Sequence, residues 1–274
     1  MRMPEYAARF AMSVTLYLTE TMQMILGNSK KFKGTGCVCF LDVLGFSEDI
    51  LKNWDATESN PLDKILSIKN EMPTLSNDIK DDDRESRRIY VSRVSTISDS
   101  VTVCFGYNEK LIVGDLVLGI EAILADILHI WRTIIGHGYT IRGAIDFGKI
   151  YWDENELIGP AFINAYRLES QVAKNSRVIV SSSLNEVFSN LERQHPSALT
   201  EHLLESFRKD VDGYIVVNPS KIYRDEPERW NLVERLIKMR DSLPKGILRE
   251  KYNPLISMLS LDDVSIRAGD LGGY

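Results

Sequence analysis

Gly36-Cys37-Val38-Cys39-Phe40-Leu41 is a near-continuous apolar run that ends on Asp42, and it constrains the fold more than any other segment. A strand alternating polar and apolar residues shows one face to water, whereas an uninterrupted apolar run belongs to a strand covered on both faces. The segment is therefore read as a buried strand that delivers a carboxylate at its end. A turn and a helix over residues 45–54 follow. Residues 90–94 and 100–105 read as two further strands joined by a tight turn, Ser98-Asp99-Ser100, which places a second acid in a hairpin.

Residues 111–135 carry apolar side chains at 113, 116, 117, 120, 123, 124, 127, 128 and 131, a helical spacing. Asp115, Glu121, Asp126, His129 and Arg132 interrupt them more densely than a bilayer would tolerate, so this is a core helix and no membrane partner is expected. Residues 139–145 and 149–152 read as a strand pair around Gly148, residues 159–173 as a helix begun by Gly-Pro, and 178–180 and 214–217 as short strands. Strands and helices in this order make a mixed α/β layer arrangement, an α+β sandwich, rather than strict βαβ alternation. The 274 residues divide into an N-terminal helical extension (1–35), a main domain (36–219) and a charged C-terminal helical appendage (220–274) with helices over 226–241 and 247–259. Residues 56–88 read as an exposed insertion with a short helix over 62–72, and its Asp81-Asp82-Asp83 run as a solvated loop.

A formal net charge of −6, with basic runs no longer than Lys30-Lys31 and Arg87-Arg88, leaves no groove for a nucleic-acid backbone. Cys37, Cys39 and Cys104 lie inside apolar runs and read as small buried residues of a reduced, cytoplasmic chain without a secretory signal. Trp131 and Trp152 read as packing residues.

A strand ending in Asp, then a glycine turn and a helix, can hold a triphosphate: the acid binds a metal while backbone N–H groups face the phosphates. Val43, Leu44, Gly45, Phe46 and Ser47 follow Asp42 in that arrangement, and Asp99 supplies a second acid for a site with two divalent ions, Mn²⁺ or Mg²⁺. Either acid alone is more often a turn or helix cap.

Phe-x-Asp-Val-x-Gly-Phe-Ser at 40–47 resembles the first metal motif of class III adenylate and guanylate cyclases, and Ile97-Ser98-Asp99-Ser100 resembles the second. Arg142-Gly143-Ala144-Ile145-Asp146-Phe147-Gly148 is similar to the Arg-x-Gly-Ile-x-x-Gly strand that follows in that family. Residues 159–169, Gly-Pro-Ala-Phe-Ile-Asn-Ala-Tyr-Arg-Leu-Glu, resemble the helix carrying its transition-state arginine, with Arg167 at the expected eight residues after Gly159. The four motifs occur in family order across residues 36–217. The resemblance implies a ferredoxin-like mixed sheet flanked by helices. It further implies Asp42, Val43 and Asp99 as metal ligands, Arg167 as the catalytic arginine, and a homodimer whose sites draw acids from one protomer and arginine from the other. A bland pairing of Arg167 with Glu169 or Asp153 is the alternative.

Within the superfamily, Gly-Pro-Ala…Ala-Tyr-Arg-Leu-Glu, the Ser-Asp-Ser turn and Asp210-Val211-Asp212-Gly213-Tyr214 look most like the bacterial Pycsar antiphage cyclases. Those make cyclic UMP or cyclic CMP for a separate effector protein. Ser95 stands where purine cyclases carry a base-reading lysine, and Glu156 where they carry an aspartate, so a pyrimidine nucleoside triphosphate is the implied substrate. The family's ribose-orienting asparagine aligns with Ile163, and Asn164 lies one step further along the helix. Lys209 or Arg208 is a candidate for the triphosphate, against an ordinary solvated reading; Arg142 is either structural or phosphate-directed. The resulting expectation is conversion of UTP to 3′,5′-cyclic UMP and pyrophosphate. The alternatives are CTP to cyclic CMP, or a nucleotide-binding homologue without turnover. A palm-type polymerase would need a Gly-Gly-acid-acid-Phe-like turn, which the sequence lacks.

Overall fold

Apolar side chains on both faces of β2 (Phe32–Leu44) set the architecture of the computed structural model, which describes residues 27–28, 31–58, 60–72, 90–107, 113–223, 225–243 and 245–260. Cys37, Cys39, Leu41 and Val43 point into the main core, and Val38 and Phe40 into a smaller cluster on the opposite face. The strand lies at the centre of a nine-stranded mixed sheet among the described residues. The other elements in chain order are β1 (Gly27–Asn28), α1 (Phe46–Asn53), α2 (Pro61–Glu71), β3 (Tyr90–Ile97), β4 (Ser100–Tyr107), α3 (Val113–Gly136), β5 (Thr140–Trp152), β6 (Leu157–Ile158) and α4 (Pro160–Val172). Then come β7 (Val178–Val180), α5 (Ser182–Gln194), α6 (Ala198–Leu204), β8 (Phe207–Lys209), β9 (Ile215–Val217), α7 (Glu226–Ser242), α8 (Ile247–Glu250) and α9 (Asn253–Ser260).

The sheet runs β1-β3-β4-β2-β5-β7-β9-β8, with β6 paired to β5. From β2 to β5 the order is strand-helix-helix-strand-strand-helix-strand, and β5, β2, β4 and β3 pair antiparallel throughout. Both partners of β2 bring neighbours to its acidic end, Ser100 from β4 and Arg142 from β5 directly opposite Asp42.

Helix α3 covers the main-core face with Ile120, Ile123, Ile127, Ile130 and Ile134, all at most 2% exposed, following the 3.6-residue period. Each such side chain contributes about 1.5–3 kcal/mol of transfer free energy. Gly119 lets the helix approach closely, because a Cβ there would lie 2.0 Å from the Phe105 ring. On the other face Ala161 and Ala165 of α4 pack against Val38 and Cys104. Small residues at the α4 seam are what let it lie low on the strands. Trp131 and Trp152 are fully buried, and the three cysteines are buried and unbridged.

Several segments differ from the sequence reading. The two strands read over 139–145 and 149–152 are one continuous strand, Thr140–Trp152, since Gly148 pairs in register with Gly36 instead of breaking the ladder. Within the 1–35 segment, read as helical, Gly27–Asn28 is a short strand parallel to Val91-Ser92 and residues 32–35 open β2; the other residues of that segment, Lys31 apart, lie outside the described ones. Helices α5 and α6 and strand β8 were missed, although Leu184, Val187, Phe188 and Leu191 have helical spacing behind a Ser181 cap. The 56–88 insertion is partly core, because α2 buries Ile65 and Ile68; the acidic triplet falls outside the described residues. Nor are the described residues of the 220–274 segment, up to Ser260, a mere appendage. Leu232 and Leu236 of α7 and Leu255 and Leu259 of α9 join the main core, and the Ser176 N–H donates to the Lys251 carbonyl at 3.0 Å. Among the described residues no helix is long and apolar enough to cross a membrane.

Candidate functional site

The acids converge because β2 and the β3–β4 turn end at the same edge of the sheet. The Val43 N–H donates to the Asp99 carbonyl at 3.2 Å, tying the turn to the end of β2. Asp42, Asp99, Val43, Leu44, Gly45 and Ser47 all line one cleft of about 710 Å³. Ser47 donates its hydroxyl to Asp99 Oδ2 at 3.4 Å. Gly45 sits at φ 91°, ψ −8°, the left-handed region, where it starts α1 with no side-chain cap. The first N–H groups of α1 are therefore left for the cleft or for water. Phe46 does not line the cleft; it is 3% exposed and meets Tyr139 edge-on, so it anchors the turn from beneath.

Arg142 stands between the metal-motif acid and α4. Its Nε lies 3.0 Å from Asp42 Oδ2 and 2.8 Å from Glu169 Oε1, the latter a close ion pair without an aligned hydrogen bond. The Asp42 side chain thus shares the sheet face covered by α4. Partial burial raises the Asp42 carboxyl above its ordinary value against the pull of Arg142; Asp99 adds to the rise and Lys251 opposes it. Burial raises Glu169 to about 7, with Arg142 opposing. The bland pairing of Arg167 with Glu169 is excluded by this arrangement, because Glu169 points inward to Arg142 at 3% exposure.

Among the described residues no cluster of three or more His, Cys, Asp or Glu could cage an ion by itself. Two carboxylates are nevertheless the donor set that suits a Mg²⁺-type ion, which keeps waters and shares its coordination with substrate phosphates. Asp42 and Asp99 fit that role. The cleft also carries Lys52, Lys245 and Lys251, cations that would meet phosphate oxygens.

The remaining sequence-predicted residues lie elsewhere in the chain. Lys209 is exposed on β8, four strands from β2, roughly 19 Å at the usual strand spacing, and does not line the cleft. Asp210 and Asp212 instead clamp the buried Arg177 at 2.6 and 2.7 Å, a structural use of the Asp-Val-Asp-Gly segment. Glu156 lies beyond Trp152, the far end of β5 from Arg142, and does not line the cleft; its carbonyl accepts from Arg93 at 3.1 Å. Ser95 is on β3, separated from β2 by β4 and half-buried. Asn164 donates to Asp146 at 3.3 Å, and Arg167 is exposed on α4, near Ile163 and Tyr166, which are 46% and 50% exposed. Sequence reasoning missed Lys52, Lys245 and Lys251; the last two have no local signal, since only the tertiary fold brings residues 245–251 to residue 42. No model of a known protein family matches the chain, and no curated protein does.

Proposed function

We propose that the cleft binds a nucleoside triphosphate with two divalent ions, and that the chain is a pyrimidine nucleotide cyclase converting UTP to 3′,5′-cyclic UMP and pyrophosphate. The observation that carries this reading is the meeting of Asp42 and Asp99, from the end of a central strand and a neighbouring hairpin turn, beside an uncapped left-handed glycine turn in one cleft. The β2-to-β5 topology, antiparallel in the order β5-β2-β4-β3, adds support, since that strand order is the one expected of the ferredoxin-like plan that the motif resemblance implies.

In the proposed reaction the ribose 3′-oxygen attacks the α-phosphorus, the bond to the α,β-bridging oxygen breaks, and the hydroxyl proton leaves to water. Asp42 and Asp99 would hold the divalent ions, which when bound would supply activation of the hydroxyl and neutralisation of the leaving phosphates. The Gly45 turn and the first N–H groups of α1 orient the phosphates. Arg142 holds the Asp42 carboxylate in place from the α4 side. Arg167 faces solvent, where a second copy can receive it; its planar fork suits charge developing on the α-phosphate oxygens. The proposed enzyme is a cytoplasmic homodimer with shared sites, and its cyclic product acts on a separate effector protein in antiphage defence. Ser95 in place of a base-reading lysine favours a pyrimidine, with CTP and cyclic CMP as the alternative.

A second reading, a nucleotide-binding homologue without turnover, draws on Ile163 at the ribose-orienting position. Incubation of the purified protein with each of the four nucleoside triphosphates and Mn²⁺, followed by mass analysis, decides between them. Cyclic UMP with pyrophosphate is the expected result. Binding without any cyclic product would leave the second reading standing.

A further inference from the structure

The geometry points to Lys245 and Lys251, on the segment joining α7 to α9, as the polyphosphate clamp of the Asp42–Asp99 cleft, the role for which Lys209 is too remote. The assignment of phosphates to this cleft rests on the nucleotide reading above.

Both lysines line the cleft with the two acids, and neither forms an ion pair with a described residue. An ammonium in a cleft that also carries Asp42, Asp99 and Glu48 could satisfy itself locally, as Lys52 does with Glu48 at 3.6 Å. Lys245 and Lys251 form no such pair: Lys251 acts on Asp42 only from beyond ion-pair distance, and both ammonium groups keep their donors for a ligand.

Their position is built rather than incidental. The Lys251 carbonyl accepts the Ser176 N–H at 3.0 Å, fastening the segment beside β7. The next residue, Tyr252, is 2% exposed, and its hydroxyl lies 3.7 Å from where a side chain on Gly45 would begin. Leu255 and Leu259 of α9 then anchor the segment in the main core. Lys251 is therefore fixed in the cleft that the Gly45 turn also lines, and Lys245 lines it beside Gly246. Two cations and two carboxylates in one cleft would frame a polyanion with its metal ions. The C-terminal helices are thereby a working wall of the site.

Calorimetric titration with Mn²⁺ and inorganic tripolyphosphate tests the clamp without requiring turnover. The Lys245→Ala, Lys251→Ala double variant should bind tripolyphosphate about 100-fold more weakly than the parent, roughly tenfold per lost charged contact, with the double Lys→Arg variant within a few-fold. Its affinity for Mn²⁺ alone should be equal or tighter, because two cations have left the neighbourhood of the acids. Lys238→Ala, on an 80% exposed side chain of α7, controls for net charge and should bind as the parent does. If the double variant does not fold, the exposed Lys245→Ala alone carries the comparison.

Absence of tripolyphosphate binding in the parent, binding by the double variant within twofold of the parent, or weakened Mn²⁺ binding would each overturn the clamp. The two proposals fail separately. A parent that binds tripolyphosphate through these lysines but makes no cyclic nucleotide keeps the clamp and loses the cyclase. A parent that cyclises while the lysine variants bind unchanged loses the clamp alone.

Discussion

Arg142 of β5 sits directly opposite Asp42 of β2, its Nε 3.0 Å from the Asp42 carboxylate, and the same guanidinium lies 2.8 Å from Glu169 of α4. One cation therefore serves an acid that faces the cleft and an acid that faces the core. Three consequences for stability and activity can be separated by substitution.

Arg142→Ala leaves the Glu169 side chain, 3% exposed, without its counter-ion. The expected cost is about 3 kcal/mol, the low end for a broken buried pair because Asp42 and Arg142 remain roughly a fifth exposed. Adding Glu169→Gln should recover part of the loss. Urea unfolding of the four members of the cycle measures the coupling, and additive effects would show that the pair contributes nothing.

Stability should also depend on pH through Glu169. Burial raises its carboxyl from 4.5 to about 7, so the folded chain holds this proton more tightly than the unfolded chain. The contribution is complete below pH 4.5 and is lost as pH rises through about 7. Glu169→Gln should flatten the fall in stability across this window by up to roughly 1.4 kcal/mol per pH unit. Glu121, raised to about 7, and Asp126, raised to about 6, have the same sign and leave a residual slope. Unfolding curves at stepped pH give the comparison; identical slopes would remove Glu169 from the account.

The two acids should separate function from stability. Asp99 accepts only the long Ser47 contact from described side chains, so Asp99→Asn should change stability by no more than about 0.5 kcal/mol. Cyclic-nucleotide formation should nevertheless fall at least about 100-fold. Asp42→Asn should lose activity similarly and also shift stability, because it unbalances Arg142. Equal activity in Asp99→Asn and the parent would remove the hairpin acid from the mechanism.

At the other edge of the sheet, Arg177 and Asp210 are each 7% exposed and 2.6 Å apart. Arg177→Ala should destabilise the fold by roughly 3–5 kcal/mol, as expected for an uncompensated buried carboxylate. Lys209→Ala, one residue from that clamp, should leave nucleotide affinity unchanged. A large loss of affinity in Lys209→Ala would put the triphosphate back on β8.

Complementation probes the shared site. Asp42→Ala and Arg167→Ala chains, each inactive, should regain about one quarter of parental activity on equal mixing, since half the dimers are mixed and each has one intact site of two. No recovery would mean that the acids and Arg167 do not meet across two chains.

The local features of the site were readable from residue order. The apolar run before Asp42 predicts a strand covered on both faces, and Cys39 and Phe40 do enter opposite clusters. Hairpin periodicity puts Asp99 in a turn, and that turn is hydrogen-bonded to Val43. Lys209 misled because adjacency to Asp210 says nothing about distance from Asp42, and residues 139–152 misled because glycine breaks a strand only where the backbone must turn. In the sequence Glu169 reads only as a partner for Arg167, since burial of a carboxyl is invisible without knowing which helix face meets the sheet.

What the sequence determined by itself is what depends on neighbours along the chain: the buried strand, its terminal acid, the glycine turn, and the long apolar face of α3. Tertiary structure alone decided which charges share a space. Arg142 reaches Asp42 through strand register, Glu169 reaches Arg142 through helix–sheet packing, and Lys251 reaches the cleft through the burial of Leu255 and Leu259. Each depends on contacts between residues far apart in sequence, where the Coulomb energy is set by distance and burial that no local pattern encodes.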